Sequence, residues 1–273
     1  MDALGWLFCE LSRLDEAQAA LGEALALARA AGERKEEARA TRDLGNVFLS
    51  PSRLGQAREH YERYLAISRE IGNRRSEGFA LHCLADLSAE ERDAAVAERR
   101  YAEALALRRE IGHRDGEAET LVAGGAHLAR QGREDEACAD LDAALVIARE
   151  LSLPHVEFLA TAQLATLPGG DVTAALAALA AHEGHTEMQE AMDARFLLWQ
   201  ATRDPAHLAE ARRLLDFIVV YTPPDCRESM LANVRLHREI AAAAREQGLP
   251  LACIPDHGRA AAPGPPGGVA RTR

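Results

Sequence analysis

Four places in the sequence carry side chains capable of chemistry, and spacing decides what each can do. His182, Glu183 and His185 are metal-ligating types, but the two histidines stand three residues apart. They lack the i, i+4 spacing that turns both imidazoles of a zinc-protease helix to one face, and a catalytic zinc takes three protein ligands. At the end of an apolar helix they read as capping and solvated residues. His82 beside Cys83 offers the groups of a Cys-His nucleophile, yet neighbours on a helix point about a hundred degrees apart and cannot share a proton. Gly124, Gly125 and Gly132 are followed by no Gly-Lys-Ser/Thr and preceded by no strand, so they form no phosphate loop. Met188, Met192, Phe196 and Trp199 fall on one helical stripe, which marks core. Nowhere do a nucleophile, a base and an oxyanion donor come together. The expectation is a non-enzyme with no metal and no cofactor.

The elements that would hold these residues are copies of one another. Stepping forty residues gives Ala17, Ala57, Ala97, Ala137; Leu25, Leu65, Leu105, Leu145; Arg29, Arg69, Arg109, Arg149; and Glu37, Glu77, Glu117, Glu157. Gly32, Gly72 and Gly112 repeat likewise, with Ser152 closing the series. A fixed period of this size marks a solenoid, in which each unit buries its apolar face only against its neighbours. In the unit 35–74, Ala38, Thr41, Leu44, Gly45 and Phe48 lie on one helical face, helix A, and Ser50-Pro51-Ser52 breaks it. Leu54, Ala57, Tyr61, Tyr64, Leu65 and Ile67 form helix B, which stops at Gly72. Asn73 is placed to cap the next helix A, with Glu77 in its first turn.

Small residues fill two columns: Gly5, Gly45, Ala85, Gly125 and Ala165 on helix A, and the alanine series on helix B. Leu-Gly, then Ala twelve residues after the Gly, then Tyr61, Tyr101 or Leu141 four later resembles the tetratricopeptide repeat. The unit departs from that family in length, since the common repeat has about 34 residues and helix B here runs on through Arg69, Glu70 and Ile71. Forty-residue units with a Leu-Gly-Asn string, here Leu44, Gly45 and Asn46, are similar to the Leu-Gly-Asn group of tetratricopeptide adaptors. The stretch 228–240, ESMLANVRLHREI, resembles the closing helix of tetratricopeptide tails on large bacterial signalling ATPases, kinases and cyclases.

The resemblance implies an all-α, right-handed solenoid of antiparallel helix pairs whose helix A lines a concave groove. It also implies which positions touch a ligand: Arg39, Arg42 and Asn46 in the first full repeat, Phe79, His82 and Asp86 in the second, Glu119, Val122 and Ala126 in the third. Arg39 and Arg42 can take a carboxylate through bidentate hydrogen bonds and Asn46 a backbone amide. The implied partner is a protein or peptide, acidic at the arginine end, bound in bacterial signalling. The alternative is a regulatory tail packing against its own catalytic domain.

Partial repeat 1–34 precedes full repeats 35–74, 75–114 and 115–154, a shortened unit 155–185, a helical extension 186–248 and a Pro/Gly/Ala tail 249–273 expected to be disordered. Within the extension, Leu208, Leu214, Leu215 and Ile218 form a second stripe, Pro223 and Pro224 end it, and a last helix is predicted from about Arg227 to Gln247. The array starts midway through a helix A, so Leu4, Trp6, Leu7 and Phe8 are expected to be bare and to favour end-to-end self-association. A formal charge of −11 argues against nucleic acid or anionic lipid as general partners. Lys35 is the only lysine among 32 basic side chains. No apolar run reaches the ~20 residues of a membrane span and no basic leader opens the chain, so a cytoplasmic place is expected. Five scattered cysteines, Cys9, Cys83, Cys138, Cys226 and Cys253, suggest neither a disulfide framework nor a zinc ribbon.

Overall fold

A computed structural model describes residues 14–49, 53–182, 188–221, 227–228, 231 and 234–249. Among them the chain runs through twelve helices and no strand. These are α1 Leu14–Ala31, α2 Arg34–Val47, α3 Leu54–Glu70, α4 Arg74–Glu90, α5 Ala94–Glu110, α6 Arg114–Arg130 and α7 Glu134–Leu151, followed by α8 Pro154–Ala165, α9 Val172–His182, α10 Met188–Thr202, α11 Pro205–Tyr221 and α12 Arg235–Glu246. Each helix packs on the next through α11, and the pairs α2/α3, α4/α5 and α6/α7 carry the three full copies of the unit. The chain is an all-α solenoid. Leu4, Trp6, Leu7, Phe8, Pro223, Pro224 and the tail lie outside the described residues, as do Glu183 and His185.

The small columns are where the helices meet. Ala57, Ala85, Ala97 and Ala137 are fully buried. A Cβ on Gly45 would stand 2.9 Å from Cε1 of Tyr61, and one on Gly125 2.9 Å from Cγ of Leu141. The aromatic or leucine of helix B thus lies flat on the bare backbone of helix A. Helix B ends where Gly32, Gly72 and Gly112 take positive φ, and Ser152 takes the same left-handed conformation at φ 55°. Asn73 caps α4, accepting from the Ser76 amide at 3.1 Å.

A charged ladder joins one unit to the next. Glu37, Glu77 and Glu117 are buried, and each accepts hydrogen bonds from an arginine of the preceding helix B and from one at the start of its own helix. Arg29, Arg69 and Arg109 reach them at 3.1, 2.8 and 2.7 Å; Arg34, Arg74 and Arg114 come from within the same helix A. The second set also binds Glu70, Glu110 and Glu150 at the end of the following helix B. Pro154 occupies the next arginine position, so Glu157 keeps only Arg149, at 2.9 Å, and the ladder stops. Burial works to raise the Glu37 carboxyl, but Arg63, Arg29 and Arg34 outweigh it and hold the group below its ordinary value. Burial opposes Arg109 and Arg114 at Glu117 with the same net result.

Past α9 the forty-residue step is lost, and a separate core forms from Met192, Phe196, Trp199, Leu208, Leu214, Leu215, Leu236 and Ile240, with Met188 and Ile218 packed against it. The methionine-aromatic stripe is core, as its spacing predicts. The last helix differs from expectation. It does not run unbroken from Arg227: Val234 is extended at ψ 118° and α12 starts at Arg235. The break frees α12 to turn Leu236 and Ile240 into this core, and a β-branched residue suits extended backbone.

Gly45→Leu is expected to cost about 1–3 kcal/mol through overpacking against Tyr61, whereas Glu59→Leu on the exposed face of α3 leaves the melting temperature nearly unchanged; circular dichroism melts compare them. The ladder predicts acid lability. A carboxyl whose pKa falls on folding adds stability above its unfolded value, 4.5 for glutamate, and loses it as pH drops through the folded value. Melting temperature should hold from neutrality to near the unfolded value of 4.5 and fall below it. Glu117→Gln should destabilise the fold at neutral pH by about 1–3 kcal/mol for lost charged hydrogen bonds, lowering the melting temperature, and flatten the acid limb.

Candidate binding groove

Helices α4, α6 and α8, the A helices of successive units, wall a concave cavity of ≈ 360 Å³. Five of the nine predicted groove positions line it: His82, Asp86, Glu119, Val122 and Ala126. His155, Leu159 and Gln163 of α8 continue the wall, and Asp193 of α10 and Arg235 of α12 close it from the C-terminal side. The other four predicted positions lie elsewhere. Arg39 lines a shallow hollow between α1 and α2 with Leu21, Leu27 and Glu36. Arg42 is held by its neighbour Asp43, whose Oδ1 accepts from Nε at 2.9 Å and Nη2 at 2.8 Å. Phe79 packs edge-on against Tyr64, ring centroids 6.4 Å apart. Asn46 is exposed, but its Oδ1 already accepts from the Tyr61 hydroxyl at 2.6 Å.

That last bond recurs and explains a pairing between columns. Tyr101 donates to Oδ1 of Asp86 at 2.6 Å, and where helix B has Leu141 in place of tyrosine, helix A has Ala126 in place of the acceptor. Asp86 also faces Nε2 of His82 at 3.3 Å, and Nδ1 of His82 lies 3.3 Å from the Thr120 hydroxyl. His82 is thus engaged away from Cys83. Burial pushes the Cys83 thiol up, which leaves it protonated and unreactive at neutral pH.

Beneath the cavity lies a residue that the columns signal but column-by-column reading of the groove passes over. Arg108 of α5 stands in a series otherwise made of Ala28, Ser68 and Ala148, and is 1% exposed. Three further exceptions make room for it. A Cβ on Gly78 would come within 3.3 Å of its Cγ, and one on Gly116 within 2.9 Å of its Nε. Its Nη1 donates to the Gly116 carbonyl and to Thr120, where the equivalent residues are alanines. Nη1 also sits 3.8 Å from Oε2 of Glu119 on the cavity rim, while Nε has no partner. Arg108 therefore passes between α4 and α6 and sets positive charge under Glu119 and Thr120.

The C-terminal wall is charged as well. Arg235 pairs with Glu90 of α4 at 3.4 Å and with Glu239 at 3.0 Å, tying α12 to a helix 145 positions earlier in the chain. Asp193 makes no hydrogen bond or ion pair within 4.0 Å to a described residue. It is partly buried and lines the cavity, and burial raises its carboxyl against the opposing pull of Arg235 and Arg130. Sequence periodicity held no sign of Asp193 or Arg235, because both lie beyond the repeating columns.

This is the architecture of a repeat array with a lined inner groove, built of tetratricopeptide-like helix pairs. The family model of the tetratricopeptide repeat matches residues 2–70, which supports such a repeat there; the later pairs keep the same columns and joints. No curated protein matches the chain. Among the described residues, no group of His, Cys, Asp and Glu could hold a metal, and no helix is long and apolar enough to cross a membrane.

Arg108→Ala is expected to destabilise the fold by about 2–4 kcal/mol, through the cavity left between α4 and α6. Arg108→Met fills the slot without burying a charge and should cost less than about 1.5 kcal/mol. Urea unfolding measures both, and equal losses would show that the guanidinium, not its volume, holds the joint.

Proposed function

We propose that the chain is a non-catalytic binding module that takes an extended protein segment along its concave groove. The observation that carries this reading is the cavity itself: side chains of three consecutive A helices and of two C-terminal helices converge on one recess that mixes apolar floor with oriented polar groups, the make-up of a recognition site. Arg39, exposed and 4.0 Å from Glu36, lies outside this cavity in the hollow between α1 and α2, where an acidic portion of the segment would meet it. The likeness of residues 228–240 to tails of bacterial signalling proteins supports a place in signalling.

Random-peptide display on the purified chain, followed by fluorescence anisotropy of the recovered peptides, tests the reading. Ala126→Leu, which fills the cavity floor, should weaken binding about tenfold or more, the effect of losing a well-fitted buried contact. Arg99→Ala, 65% exposed on α5, should leave it unchanged. Recovery of no peptide, or equal binding by both variants, would remove the groove from the account.

A further inference from the structure

The cavity's charges do not balance. Asp86, Glu90, Glu119 and Asp193 face it from four carboxylate positions, against two guanidinium groups, Arg130 and Arg235. Arg235 is matched locally by Glu90 and Glu239. Glu119 has only Arg108 beneath it, at 3.8 Å, and Asp193 has no direct partner among the described residues. A partly buried carboxylate without a partner costs free energy, and a cation brought beside it recovers part of that cost.

The chain also displays the chemistry that this recess accepts. Arg235 enters it from α12 as an arginine side chain would enter from a bound segment, with its guanidinium against Glu90. The remaining space lies beside it, floored by Val122, Ala126 and Leu159, apolar surface that suits the methylene stem of a long basic side chain.

We infer that the cavity receives a lysine or arginine side chain of the bound segment, its charge met by Asp193 and Glu119 with Asp86 behind them. This rests on the peptide-binding reading above and names what that segment must carry. The carboxylates then lie at the C-terminal side of the cavity, with Asp193 on α10 and Glu119 on α6. Electrostatic complementarity of this kind orients a segment as well as holding it.

The experiment uses the full chain and the displayed peptides. The recovered sequences should be enriched in Lys or Arg at one position, and replacing that residue by Gln should weaken binding about tenfold, as expected for a charge-assisted hydrogen bond lost from a desolvated site. Asp193→Asn should do the same, with no further loss when combined with the Gln peptide. Glu119→Gln, on the exposed rim and safe for folding, should weaken binding less but in the same direction. Peptides enriched in Asp or Glu and carrying no recurrent basic position would overturn the inference. So would basic peptides bound equally by the wild-type chain and both variants. Recovery of no peptide at all would fell the underlying reading together with it.

Discussion

At three successive joints of the array a glutamate, Glu37, Glu77 or Glu117, is buried between arginines that belong to two different helices. A carboxylate taken out of water is tolerated only where its partners stand in place, so the joint forms when helix A and the preceding helix B are correctly docked and not otherwise. That requirement accounts for the unit's length. Arg69 and Glu70 lie in the last turn of α3, in the residues by which helix B outruns a common tetratricopeptide unit, and both belong to the ladder. The extra turn carries the contacts that bind one repeat to the next, and where Pro154 removes an arginine the regular step gives way within one unit.

Periodicity made the core legible because burial in a solenoid repeats with the unit. The alanine and glycine columns, the glycine stops and the Asn73 cap follow from local rules that act the same way in every copy. Groove positions were legible only in part. Column position places Arg42 and Asn46 beside His82 and Asp86, but whether a side chain is free depends on its own neighbours: Asp43 holds one and Tyr61 the other. Asp193 and Arg235 reach the site by the folding back of the C-terminal helices, which no repeating column records. The break at Val234 belongs with these, since it is the demand of a distant core that overrides a helical pattern.

The site's electrostatics differ from those of the joints although both use the same residue types. In the ladder every carboxylate is met by arginine within hydrogen-bonding distance, and the result is rigidity. Around the cavity Arg235 pairs with Glu90, Asp86 is held by tyrosine and histidine, and Asp193 has no described partner within reach. Incomplete pairing in an enclosed space is a poor way to stabilise a fold and a good way to leave binding energy for something else.

Units copied from one ancestor would in principle be interchangeable, like identical links in a chain. Arg108 ends that equivalence. Its side chain needs Gly78 within its own unit and both Gly116 and Thr120 in the unit that follows. Were the second unit followed by a duplicate of itself, Arg108 would meet Ser76 and Ala80 there; were it followed directly by the fourth, it would meet Val156 and Ala160. In either case a buried guanidinium would lose its hydroxyl partner and the space that Gly116 leaves beside its Nε. The second and third units therefore have assigned seats, and the array can no longer lengthen by simple duplication at that joint or shuffle its order without first giving up this one side chain.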